Sequence, residues 1–211
     1  MLFSRFVLSV FLFVLFSVHS PLWAADSVKE TKNVLIIGDS LTAGLGVMPE
    51  QAYPALLQAR LAEMGMNQVK VVNAGISGST SAGAYARLKW YLKARPHLLI
   101  LALGANDGLR GLSVAEMEKK LGRAISLAKE AGIKVVLAGM EVPPNYGPEY
   151  AADFRQVFPE LAGRYRIPLI PFLLEGVAGK PALNQADGIH PNPEGHQIMA
   201  DTILPYILEN L

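Results

Sequence analysis

Hydrophobic and polar positions along the chain alternate between two kinds of segment. Val34–Gly38, Val69–Ala74, His97–Gly104, Lys134–Met140 and Pro168–Leu174 are short, nearly continuous apolar runs. Runs of this length, rich in β-branched residues and bounded by Gly, Asn or Pro, predict strands covered on both faces. The intervening stretches Tyr53–Met64, Ala82–Lys93, Val114–Ala131 and Glu149–Tyr165 are longer, with apolar positions recurring at helical spacing. Two helix starts carry local signals. Ser113 stands three residues before Glu116, a capping-box pattern, and Asn192-Pro193-Glu194 supplies an N-cap followed by proline at the first helical position. The last helix is predicted to run to about Leu208.

Strict strand–helix alternation implies a parallel sheet with helices on both faces and right-handed crossovers. The fold class expected is α/β: a three-layer α/β/α sandwich around a five-stranded parallel sheet. No repeat, linker or second domain interrupts residues 25–211, and that length suits one domain with a full core.

The first residues have a different composition. Arg5 is the only charge in Met1–Leu22, Phe6–Val18 is almost wholly apolar, and Leu22-Trp23-Ala24 ends in a small residue. These features predict a signal peptide at residues 1–24, cleaved after Ala24. An uncleaved anchor is the alternative, although ~18 or more apolar residues are normally needed to span a bilayer. Without residues 1–24 the 19 basic residues become 18 and balance the 18 acidic ones. A neutral chain without basic runs argues against nucleic acid as a partner. Cysteine is absent, so an exported chain has no disulfide or lipoprotein anchor and depends on its core.

Chemistry-bearing residues gather after the predicted strands. The first is followed by Gly38-Asp39-Ser40, the second by Gly75-Ile76-Ser77-Gly78, and the third by Gly104-Ala105-Asn106-Asp107. The fifth is followed, further on, by Asp187-Gly188-Ile189-His190-Pro191. In a parallel sheet these loops leave the same edge and can converge. Ser40 is then the candidate nucleophile. His190 would take its proton, and Asp187 would fix the imidazole tautomer and stabilise its cation. The Ser40 backbone N–H, the Gly78 N–H and the Asn106 amide are candidate oxyanion donors.

Other residues compete for these roles. Asp39 adjoins Ser40 and its side chain points elsewhere, so it reads as a hydrogen-bond group for the turn. Ser77 is a rival nucleophile, but a full G-x-S-x-G fails because position 79 is Ser. His196 is expected to be a solvated or capping side chain on the last helix. His97 begins the third strand, at the opposite end of the sheet. Asn106 could instead serve only its own loop.

Gly-Asp-Ser-Leu with Ser40, Gly-Ile-Ser-Gly with Gly78, Gly-Ala-Asn-Asp with Asn106 and Asp-Gly-Ile-His-Pro with His190 resemble, in order, the four blocks of the SGNH subgroup of the GDSL hydrolase family. The resemblance covers roughly residues 33–205, and Gly104–Gly111 and Pro144–Gly147 are similar to the family's bacterial periplasmic esterases. It implies a flavodoxin-like sheet and a serine hydrolase that needs no metal or other cofactor. The implied substrates are carboxylic esters and thioesters: aryl esters, lysophospholipids and, in vitro, acyl-CoA. An O-acetyl esterase acting on carbohydrate, or a binding module that has lost the chemistry, are the alternatives. Leu109, Leu112, Val142, Pro143, Pro144 and Tyr146 give the loops after the third and fourth strands an apolar character. They either pack those loops or line a groove for a fatty acyl chain. The partner expected is a small ester or lipid, taken by a monomer.

Overall fold

The computed structural model describes residues 31–211; the predicted signal peptide lies outside the described residues. Five strands, β1 (Lys32–Gly38), β2 (Val69–Gly75), β3 (Leu98–Ala102), β4 (Lys134–Ala138) and β5 (Leu169–Ile170), pair in the order β2-β1-β3-β4-β5. Every pairing is parallel. This is the flavodoxin-like order, whose direction reverses between β1 and β3 and leaves a crevice at their carboxyl ends.

Seven helices join and cover the sheet: α1 (Ser40–Ala43), α2 (Tyr53–Glu63), α3 (Ala84–Tyr91), α4 (Ala105–Leu109), α5 (Val114–Glu130), α6 (Pro148–Tyr165) and α7 (Pro193–Asn210). One layer is formed by α2 against α7, the other by α3, α5 and α6 in series. Both predicted caps form. Ser113 Oγ accepts the Glu116 N–H at 3.3 Å, and Asn192 Oδ1 accepts the Gly195 N–H at 3.0 Å.

The central strands β1, β3 and β4 bury Val34–Ile37, Leu98–Ala102 and Val135–Ala138 almost completely. Full burial of such a side chain stabilises the fold by about 1.5–3 kcal/mol, so these runs anchor the sheet. The edge strand β2 departs from the expected two-sided cover, with Lys70 and Asn73 exposed. β5 is shorter than the apolar run around it because the regular ladder to β4 ends after Ile170: the Gly139 carbonyl accepts the Leu173 N–H at 2.9 Å, not the Phe172 N–H that the register calls for.

His196 is a correction to the sequence reading. It is 1% exposed, its Nδ1 accepts the Tyr53 N–H at 3.3 Å, and its ring stacks on Tyr53. The helical period explains this. His196 shares the inward stripe of α7 with Met199, Ala200, Ile203 and Ile207, all buried. Burial, and secondarily the nearby His190 charge, lower its pKa to about 4.

Candidate active site

β1 ends where the chain must turn sharply. A Cβ at Gly38 would run into the Thr42 side chain and crowd the Ala102 carbonyl. Asp39 caps α1, its Oδ1 accepting the Leu41 N–H at 3.0 Å, and Ser40 becomes the first helical residue. The hydroxyl is thus fixed at the carboxyl edge of the sheet, beside the crevice, and only 8% exposed.

The Asp187–His190 segment closes on it from the other side. Asp187 Oδ1 accepts the backbone N–H groups of Ile189 and His190, both at 3.0 Å. Gly188 supplies the positive φ (75°) that this tight turn needs. Asp187 Oδ2 then meets His190 Nδ1 at 2.7 Å, and His190 Nε2 meets Ser40 Oγ at 2.9 Å. The His190 side-chain bond, followed by the two backbone donors, lowers the Asp187 pKa to about 2. An ionised carboxylate only accepts, so Nδ1 carries the ring proton and Nε2 offers its lone pair to the hydroxyl. A hydroxyl beside a base that is itself oriented by a carboxylate can perform nucleophilic acyl transfer.

Asn106 follows β3 in the first turn of α4, and its Nδ2 donates to Asp39 Oδ2 at 3.3 Å. One amide N–H is thereby engaged and a second remains to be offered. Burial pushes the Asp39 pKa up to about 6, against the opposing bonds from Leu41 and Asn106. Gly78 follows β2 with φ 75°, and Arg110 Nη2 donates to its carbonyl at 2.9 Å. Its loop runs beside the serine turn, where the Ile76 N–H donates to the Gly38 carbonyl at 3.2 Å.

A cleft of about 500 Å³ opens over Ser40, Asn106 and His190. Of the residues proposed for acyl binding, Leu109, Val142 and Pro143 line it. Gly78 stands outside the lining. Leu112 and Tyr146 do not line it either: Leu112 is exposed and its carbonyl accepts from Tyr150, while the Tyr146 hydroxyl donates to the Leu109 carbonyl at 2.8 Å. Tyr146 therefore braces the backbone of a lining residue. Sequence reasoning missed the opposite wall, formed by Phe172, Leu174, Ala178 and Ile189. The apolar stretch after Ile170 is the signal for it, although its pattern is equally that of a longer strand. Ser77 is not among the residues lining the cleft.

The model described as "GDSL-like Lipase/Acylhydrolase family" matches residues 36–198, which span Ser40, Gly78, Asn106, Asp187 and His190. The chain belongs to this family. Membership makes it an esterase-type hydrolase. Among similar proteins, "Esterase TesA" of Pseudomonas aeruginosa is 44% identical over 181 residues, covering 85% of this chain and 86% of the relative. An "Arylesterase" of Vibrio mimicus is 39% identical, covering 87% and 92%. "Thioesterase 1/protease 1/lysophospholipase L1" of Escherichia coli is 40% identical, covering 80% and 79%. The crystal structure of TesA superposes with a TM-score of 0.82 at 41% identity, covering 85% of this chain and all of that one.

Proposed function

We propose that this GDSL hydrolase cleaves carboxylic esters and thioesters through an acyl-Ser40 intermediate. The observation that carries the reading is the unbroken chain Asp187–His190–Ser40, at 2.7 and 2.9 Å, at the mouth of an apolar cleft. His190 Nε2 removes the hydroxyl proton as Ser40 Oγ attacks the acyl carbon. Asp187, held ionised, stabilises the imidazolium that forms. The carbonyl oxygen gains charge, and the N–H groups of Ser40 and Gly78 with the Asn106 amide donate to it. His190 returns its proton to the leaving oxygen or sulfur. A water, deprotonated by the same nitrogen, then releases the acid and restores Ser40.

An apolar cleft favours a hydrocarbon acyl chain, because burying each methylene is worth about 0.8 kcal/mol. The printed names of the relatives, esterase, arylesterase and thioesterase/lysophospholipase, agree with aryl esters, lysophospholipids and acyl-CoA as test substrates. The N-terminal composition supports export to the periplasm with cleavage after Ala24, leaving residues 25–211 as one domain that works as a monomer on small esters or lipids. Among the described residues no helix is long and apolar enough to cross a membrane.

The test is a panel of aryl ester, lysophospholipid, acyl-CoA and acetylated sugar, with Ser40→Ala as control. Turnover of the first three classes that disappears in Ser40→Ala is expected. Turnover confined to the acetylated sugar would replace this reading with a carbohydrate deacetylase.

A further inference from the structure

The turn bearing Ser40 and the loop bearing Gly78 are joined by a side chain that the reaction scheme does not use. Arg87, on α3, reaches across the carboxyl ends of β1 and β2. Its Nη1 donates to the Gly38 carbonyl at 2.7 Å and to the Ala74 carbonyl at 3.0 Å. Its Nη2 donates to Ser79 Oγ at 2.6 Å. Gly38 lies two residues before Ser40, Ala74 is near the end of β2, and Ser79 follows Gly78. One half-buried guanidinium therefore holds three acceptors from the two segments that would offer oxyanion donors.

The arrangement suits arginine in particular. Its planar fork directs several N–H groups at fixed angles, whereas a lysine ammonium is a point charge that cannot hold the same spread. The backbone ladder between β1 and β2 ends at Gly38 and Gly75, and beyond it the ties are the Ile76 N–H on the Gly38 carbonyl and Asn73 Nδ2 on the Thr42 carbonyl at 2.9 Å. Neither reaches Gly78 or Ser79.

We propose that Arg87 is a positioning residue for the oxyanion site, setting the separation between the Ser40 and Gly78 N–H groups. The proposal rests on the reading of those groups and Asn106 as oxyanion donors. It predicts a defect in transition-state stabilisation rather than in substrate binding, since Arg87 does not line the catalytic cleft. A separate cleft of about 450 Å³ lies behind the loop, lined by Asn73, Ile76, Arg87, Trp90 and Tyr91. Truncating Arg87 leaves its guanidinium position open to a small cation entering from that side.

The experiment compares wild type, Arg87→Ala, Arg87→Lys and Asn106→Ala on a neutral p-nitrophenyl ester, with melting temperatures recorded alongside. Misplacing reacting groups by about 1 Å can lower rates ~10²-fold, so Arg87→Ala is expected to lose about 10- to 100-fold in kcat with KM nearly unchanged. Millimolar guanidinium should restore part of kcat, while ammonium or sodium chloride at equal ionic strength should not. The pH profile should keep its shape, because the His190–Asp187 pair is untouched. Asn106→Ala should lose ~10²–10³ in kcat as a removed donor. Wild-type kcat in Arg87→Ala beside a crippled Asn106→Ala overturns the positioning role and leaves the oxyanion reading standing. Full activity in Asn106→Ala overturns both. Rescue by any salt equally marks Arg87 as merely structural and also overturns the proposal. Should Arg87→Ala fail to fold, Arg87→Lys decides: a kcat loss at wild-type melting temperature supports the role, and wild-type kcat contradicts it.

Discussion

Two buried titratable side chains behind the catalytic edge act on stability in opposite directions. Asp39 has its pKa raised to about 6, so between about 4 and 6 the folded chain holds a proton that the unfolded chain has released. Its contribution falls as pH rises through that window. His196, lowered to about 4, does the reverse: between 4 and 6.5 the unfolded chain holds the extra proton, and stability rises with pH. The two shifts are of similar size and opposite sign, so they oppose each other where their windows overlap. Denaturant unfolding of wild type is therefore expected to depend less on pH between about 4 and 6.5 than that of either single variant. Asp39→Asn should lose stability on acidification, because His196 acts alone, and His196→Asn should gain it, because Asp39 does. Three parallel profiles would contradict this balance. The sequence made Asp39 legible as a turn residue, since its place beside Ser40 is local. The inward place of His196 is also carried by the helical period it shares with Met199, Ala200, Ile203 and Ile207, a signal outweighed in the sequence by the polarity of histidine.

At the scale of elements, the strand ends were legible and the walls of the cleft only partly so. Gly-Asp-Ser after β1 and Asp-Gly-Ile-His before α7 are set by short-range turn chemistry, which sequence carries directly. The wall from Phe172 to Ala178 is set by tertiary packing beyond a two-residue strand. Its apolar run cannot be told from a longer strand by pattern alone. The cleft also separates residues of similar appearance. Leu109 lines it and Leu112 does not. Leu109→Asn should therefore lower kcat/KM for medium-chain p-nitrophenyl esters relative to acetate by several-fold, a few methylenes being worth about 0.8 kcal/mol each. Leu112→Asn should leave the chain-length profile unchanged. Equal effects of the two substitutions, or none from either, would remove Leu109 from the acyl-binding wall.

At the scale of the molecule, the parallel sheet makes one site out of distant sequence. The order β2-β1-β3-β4-β5 puts the segments bearing Ser40, Asn106 and His190 around one crevice, although Ser40 and His190 are 150 positions apart. Strict alternation of strands and helices predicts a parallel sheet covered on both faces, while its flavodoxin-like order is what the family resemblance implies. The latches between loops were beyond such a reading. Arg87 looks like any helical arginine until β1 and β2 are seen to end beneath it. In the proposed function this convergence turns Ser40 into the acyl acceptor. The most direct measurement is acid quenching of the enzyme during turnover of an activated ester, followed by peptide mass mapping. An acyl adduct is expected on the peptide containing Ser40 and absent in Ser40→Ala. An adduct on Ser77, or undiminished turnover by Ser40→Ala, would contradict it.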